Sequence, residues 1–326
     1  MTMDYYYNFE SFDITQIISL YERKTLKELF PDHKIIKNRM GEFMELIWEE
    51  TQFPSKLDLH LSKSTLLYNL KTVYFIGKHT ERQLNKKGIK SLYDLKMNLK
   101  YKNSALELLR LIKNKQYDAL CKNRYIYDLD VAFCFNLEEL LFIDIETLGL
   151  YDSPIIILGL GYYNNDKFEI HILFARNLEE EIAICEHFKS TILPQFKCFI
   201  TYNGKSFDIP YIANRLLYFF DENPMISEEE IPYKRSNSRF HHIDLYHNCR
   251  RKFKGLYNRY TLTDMEQSLI SLKRDNELPS NLVGFCYEKY LEEPERYIGL
   301  IKEVIDHNYW DLYSMPLILQ KLLEKS

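Results

Sequence analysis

Leu140-Leu-Phe-Ile-Asp-Ile-Glu-Thr-Leu-Gly149 decides the fold: an apolar run that carries two carboxylates and then turns sharply. Extended backbone sends alternate side chains to opposite faces. Asp144 and Glu146 therefore share one face, with Phe142, Ile143 and Ile145 supplying apolar contact around them. Two acids held so close repel each other unless a proton or a cation intervenes, and hard oxygen ligands favour Mg²⁺ or Mn²⁺.

Two later segments carry further acids. Phe199-Ile-Thr-Tyr-Asn-Gly-Lys-Ser-Phe-Asp-Ile-Pro-Tyr-Ile-Ala-Asn-Arg215 reads as a short strand, a polar turn at Asn203-Gly204, and a helix beginning near Asp208. Pro210 fits its first turn, where the amides have no internal partner. Asp306-His-Asn-Tyr-Trp-Asp311 sits inside a helical pattern running toward Leu323, which Pro316 is expected to bend. His307 and Asp311 are four apart and share a helix face.

With Asp-Ile-Glu-Thr-x-Gly, Tyr-Asn-Gly-x-x-Phe-Asp-x-Pro and His-Asn-x-x-Asp in that order, the chain resembles the DnaQ-like DEDD exonucleases of the ribonuclease H-like superfamily. It resembles more closely the predicted exonucleases of the YprB type, from about Asn136 to the C-terminus. The resemblance implies that Asp144, Glu146, Asp208 and Asp311 bind two divalent cations, Mg²⁺ or Mn²⁺. Asp144 is placed to bridge them, and Asp208 to act through water. His307 is the candidate to orient or deprotonate the attacking water. Here the chain departs from both familiar subclasses, which carry Tyr four positions, or His five positions, before the last Asp. The resemblance also implies contacts to a terminal nucleotide from Thr147 and Leu148, with Asn203 and Phe207 lining the same groove.

The remaining chain sets the context. At 326 residues and 46% apolar content there is material for two domains or one with an extension. No apolar run reaches membrane-spanning length and the N-terminus lacks a signal pattern, so a cytoplasmic protein without membrane contact is expected. The six cysteines show no Cys-x-x-Cys pairing and are expected reduced. A net charge of −4 gives no global sign of a nucleic-acid binder. Two local stretches do: Lys78 to Lys102, and Tyr233 to Tyr260, where Lys234, Arg235, Arg239, Arg250, Arg251, Lys252, Lys254 and Arg259 meet only Asp244. Basic side chains neutralise phosphates and aromatic faces stack on bases, so nucleic acid is the expected partner, with Arg250 and Arg251 among its backbone contacts.

Residues 1–56 are expected to be a helical segment, with amphipathic spacing at Ile14, Ile17, Ile18 and Tyr21 and again at Phe43, Leu46 and Ile47. Residues 57–125 read as a small helical domain. Within it Ile76-Gly-Lys-His-Thr-Glu81 closes one helix, turns at Gly77 and opens another at Thr80, whose side chain could cap it. This resembles a helix-hairpin-helix element, with Gly77, Lys78 and Thr80 as backbone-phosphate contacts, although His79 stands where that family places a second glycine. From residue 136 a three-strand meander with an Asn164-Asn165-Asp166 turn is followed by helix, strand, helix and strand. Thr263 with Glu266 is expected to form a capping box. The expected architecture is α/β: a ribonuclease H-like mixed sheet flanked by helices over residues 136–326, preceded by a small all-α domain. The function expected is 3′→5′ exonuclease action on DNA or RNA. The alternatives are an inactive nucleic-acid-binding module on the same fold and a structure-specific endonuclease.

Overall fold

The N-terminal stretch departs from the helical expectation. In the computed structural model, which describes residues 12–50, 57–165, 167–226, 239–274 and 277–324, α1 (Ile14–Tyr21) and the single turn α2 (Leu26–Leu29) lead into strands β1 (Lys34–Asn38) and β2 (Gly41–Glu50). Asp13 caps α1 by accepting from the Gln16 amide. The helix expected over Phe43–Ile47 is β2. Both faces of this strand are covered: Phe43 packs in one core cluster, Met44 and Leu46 in the other. A strand buried on both sides loses the alternation that would reveal it, and its apolar spacing imitates a helix.

Five helices follow: α3 (His60–Tyr68), α4 (Lys78–Lys86), α5 (Leu92–Leu95), α6 (Lys102–Lys113) and α7 (Tyr117–Cys121). They enclose a separate cluster that includes Leu66, Leu70, Leu92, Leu95 and Leu120. Gly77 precedes α4 as its N-cap, with no side-chain cap, so Thr80 lies within the first turn and does not cap it. The boundary after α4 follows the sequence: Gly88 takes φ +81°, and Ser91 with Asp94 forms the capping box of α5.

The sheet gains its centre from β3 (Leu140–Thr147), β4 (Ile155–Asn164) and β5 (Lys167–Phe174), the expected meander; Asp166 of its turn lies outside the described residues. Helix α8 (Glu181–His187), strand β6 (Cys198–Thr201), helix α9 (Asp208–Phe220) and strand β7 (His241–Asp244) come next. The order across the sheet is β1-β2-β5-β4-β3-β6-β7. Strand β3 pairs antiparallel with β4 and parallel with β6, and β6 pairs parallel with β7. The N-terminal hairpin extends the far edge through antiparallel β2–β5 pairing, Met44 opposite Phe174.

Helices α10 (Leu245–Lys252), α11 (Leu262–Met265), α12 (Val283–Glu292) and α13 (Pro294–Leu323) complete the chain, α13 running on through Pro316. Thr261 and Asp264, rather than Thr263 and Glu266, form the capping box of α11. On one face of the sheet Leu140 and Phe142 pack with Leu312, Met315 and Ile318 of α13. On the other, Leu141, Ile143 and Ile145 pack with Ala183 and Ile184 of α8 and Tyr211 and Ile212 of α9. All six cysteines are free. Among the described residues no helix is long and apolar enough to cross a membrane.

Candidate active site

Because alternate residues of β3 share a face, Asp144 and Glu146 follow Leu140 and Phe142 onto the side covered by α13. The helix can approach there because Gly159, opposite Asp144 across β3–β4, has no side chain. A Cβ at that position would stand 2.0 Å from Asn308 Oδ1 and 2.8 Å from Leu312 Cδ1. Asn308 uses the space, its Nδ2 donating to Asp144 Oδ2 at 2.7 Å. On the opposite layer Asp208 opens α9, and its Oδ1 accepts from the Ile145 amide at 3.1 Å, tying that helix to β3 between the two acids.

From α13 come His307 and Asp311. The imidazole is buried, with Nε2 3.3 Å from Ser280 Oγ and 3.8 Å from both Glu146 Oε1 and Asp311 Oδ2. It also lines a cavity of about 290 Å³ with Arg274, Glu277 and Trp310. Asp311 Oδ1 is held at 2.6 Å by Arg274 Nη1. That guanidinium, with 4% of its side chain exposed, is anchored in turn on the fully buried Glu266, with Nε donating to Oε2 at 2.9 Å.

The acids act on one another. Burial first, then the charges of Asp311, Asp208 and Glu146, raise Asp144 well above the ordinary carboxylate range, and Arg274 opposes the shift. Glu146 is raised well above it as well, by burial and then by Asp311 and Asp208. Asp208 is pushed up to about 7, chiefly by burial, with Asp244 and Asp311 adding to the rise and the amides of Asp208 and Ile145 opposing it. Such a group holds protons at neutral pH or takes up a cation. Its hard oxygen donors fit Mg²⁺ or Mn²⁺. Asp144, Glu146 and Asp208 would hold the ions, with Asp311 contributing through Oδ2 because Arg274 engages Oδ1. Among the described residues no three His, Cys, Asp or Glu side chains already stand at ligand spacing, so the fit is one of donor chemistry.

Other residues singled out in the sequence are distributed differently. Thr147 turns its hydroxyl onto the Gly149 carbonyl at 2.8 Å, and Leu148 is half-buried, its carbonyl so close to Gly284 that a Cβ there would come within 2.3 Å. Phe207 packs against Tyr211 with ring centroids 5.2 Å apart. Asn203 is exposed at φ +67° in the turn before α9. Among the described residues no ion pair joins Asp244 to the basic run; it accepts from the amides of Asn203 at 3.0 Å and Lys205 at 3.1 Å and so shapes that turn. Arg251 is not free for phosphate, since its Nη2 donates to Asp128 Oδ1 at 2.8 Å. Arg250 lies over Tyr246, 5.4 Å from the ring centroid. Lys234 and Arg235 lie outside the described residues. Gly77, Lys78 and Thr80 sit together at the start of α4.

The residues missed in the sequence are Asn308, Gly159, Arg274, Glu266 and Asp128. Asn308 adjoins His307, and Gly159 belongs to an unusual Gly-Leu-Gly within a strand, a mark of close approach. Nothing local marks the ion-pair roles of Arg274, Glu266 or Asp128. Asp128 Oδ2 is 2.5 Å from Lys205 Nζ; despite burial, Lys205 and Arg251 hold its carboxyl well below the ordinary range.

Residues 141–323 match a family model described as the RNase_H superfamily. The Bacillus subtilis (strain 168) protein described as uncharacterized protein YprB is 28% identical over 184 residues, 56% of this chain. The chain spans only 41% of that relative's length. Among solved structures, the family B DNA polymerase from the hyperthermophilic archaeon Pyrobaculum calidifontis is similar at a TM-score of 0.37 and 16% identity, over 57% of this chain and 27% of that one. The family match runs across the sheet from β3 through α13 and takes in more than half of the sequence; this protein belongs to the RNase_H superfamily.

Proposed function

We propose that the protein is a metal-dependent 3′→5′ exonuclease acting on DNA or RNA, with Asp144, Glu146, Asp208 and Asp311 as the cation ligands. The observation that carries this reading is the meeting of acids from β3, α9 and α13: Asp208 Oδ1 accepts from the Ile145 amide between Asp144 and Glu146, and His307 Nε2 lies 3.8 Å from both Glu146 Oε1 and Asp311 Oδ2, while burial raises Asp144, Glu146 and Asp208. When bound, two divalent cations would neutralise the scissile phosphate and make an attacking water more acidic. His307 Nε2, 3.8 Å from Glu146 Oε1 and Asp311 Oδ2, would take the proton of the attacking water. Asn308 fixes the Asp144 carboxylate by donating from Nδ2 to Oδ2. Thr147 and Leu148 contact the terminal nucleotide, with Asn203 and Phe207 on the far side of the groove. Residues 57–125 form a helical unit that assists in holding the strand.

The contact between Arg274 and Asp311 favours a second reading, a nucleic-acid-binding module without turnover, because it withholds one ligand oxygen. Purified protein with Mn²⁺ and 5′-labelled single- and double-stranded DNA and RNA separates the two. A ladder shortening from the 3′ end, abolished in Asp144→Asn, supports the exonuclease. Salt-sensitive binding with no product in either protein selects the module.

A further inference from the structure

The turn before α4 carries two bulky rings that stand exposed. Tyr74 is 73% exposed and Phe75 is 88% exposed, their centroids 6.3 Å apart. Phe75 moreover takes φ +67°, the left-handed region in which a side chain with a Cβ is disfavoured and glycine is the usual occupant. An exposed ring gains no burial and a left-handed backbone costs energy, so the folded state offers no reason for phenylalanine here.

The turn is followed at once in the chain by charge. Lys78, Arg82 and Lys86 are four apart along α4, so they share one exposed face of the helix whose first turn follows Phe75 by three residues. Across residues 71–102 nine Lys/Arg stand against Glu81 and Asp94 alone, in a chain whose net charge is −4. Asp94 is already engaged as the capping partner of Ser91. Among the described residues none of Lys78, Arg82, Lys86, Lys87 and Lys90 has an ion-pair partner. In α10, by contrast, Arg251 is bound to Asp128.

We propose that the Tyr74–Phe75 turn and the Lys78–Arg82–Lys86 face of α4 form a platform for single-stranded nucleic acid, the rings stacking on unpaired bases and the cations following the phosphates. Aromatic faces accept any base, while cations on the helix that follows favour a polyanion over an apolar protein surface. A duplex offers phosphates but no free base faces except at its ends. The platform therefore adds selectivity for single strands that charge alone does not provide.

The test uses the full chain in EDTA, where no cation-dependent turnover occurs, so failure of the exonuclease reading would leave its result intact. Binding of fluorescein-labelled single-stranded DNA and RNA 20-mers and of a hairpin-closed duplex is followed by anisotropy at several salt concentrations. Tyr74→Ala/Phe75→Ala is expected to weaken single-strand binding about 10-fold or more, with the salt slope and duplex binding unchanged. Lys78→Ala/Arg82→Ala/Lys86→Ala is expected to make the slope shallower by about 2. Phe75→Gly serves as the control for folding: it keeps the turn, does not lower Tm, and still weakens single-strand binding. Wild-type affinity in the aromatic variants, an equal loss on the duplex, or no salt-dependent single-strand binding by the wild type would overturn the proposal.

Discussion

Arg274 Nη1 lies 2.6 Å from Asp311 Oδ1, so the acid delivered by the C-terminal helix reaches the site already bound to a buried cation. The same guanidinium is anchored on Glu266, and it opposes the rise of Asp144 and Glu146. In energetic terms Arg274 is a fixed positive charge inside a cluster of acids, and the cluster depends on it in the absence of metal.

Removing that charge strands Glu266, which has no exposed surface, and half of Asp311. Arg274→Met is therefore expected to destabilise the metal-free protein by about 3–5 kcal/mol, the range for truncating one side of a buried pair. Arg274→Lys, which keeps the charge but not the fork, should lose less. Urea midpoints at constant slope give the answer, and a change within 0.5 kcal/mol for the Met variant would contradict the burial of this pair.

Replacing Asp144 by Asn removes one of several mutually repelling charges while preserving shape. Turnover with Mn²⁺ should fall by about three orders of magnitude, about 4 kcal/mol of transition-state stabilisation. The metal-free Tm should hold or rise, because the lost carboxylate was raised by its neighbours. Activity close to wild type in a labelled-oligonucleotide assay would remove Asp144 from the machinery.

The acids also predict a pH dependence. Burial pushes Asp208 up to about 7 in the folded protein against an ordinary value near 4, so between those values the native state binds more protons than the unfolded one. Stability must then fall as pH rises through that window, with the contribution present below the ordinary value and gone above about 7. Metal-free protein is expected to melt higher at pH 5 than at pH 8. Mn²⁺ should raise Tm more at pH 8, where the oxygens are unprotonated. Calorimetric scans with and without Mn²⁺ that show a larger shift at pH 5 would reverse the sign and refute it.

Gly159 makes a purely steric prediction. A methyl group there meets Asn308 Oδ1 at 2.0 Å, so Gly159→Ala must push α13 away or displace the amide from Asp144. Loss of about 1–3 kcal/mol is expected from overpacking, with activity reduced at least as much as in Asn308→Ala. If Gly159→Ala retains full activity and an unchanged urea midpoint, the close approach is not required.

Asp128, just past the helical unit, ties the chain there to the turn before α9 and to α10 by accepting from Lys205, Arg251 and Asn248, and to β7 by accepting from the Asp244 amide. Its carboxyl is held below the ordinary range, so its contribution is present above pH 4 and is lost as pH falls below that. Asp128→Ala is expected to cost about 1–2 kcal/mol at pH 7, less than a fully buried pair because Lys205 and Arg251 are about a third exposed, and to cost less at pH 3. Equal losses at the two values would show that packing, not charge, is what the residue supplies.

What the sequence settled by itself were the features that local spacing controls. The alternation in Leu140–Thr147 put Asp144 and Glu146 on one side, Pro210 marked the first turn of α9, and the four-residue interval put His307 and Asp311 on one helix face. These are properties of a few consecutive backbone units and need no knowledge of distant neighbours. The tertiary structure alone decided that residues 41–50 are a strand, because both faces are covered by segments far along the chain and the alternation disappears. It alone joined Arg274 to Asp311, Asn308 to Asp144, and Asp128 to Lys205 and Arg251. An ion pair between residues tens of positions apart leaves no periodic trace; it exists only once packing has removed water from both charges and left each the other's nearest counterion.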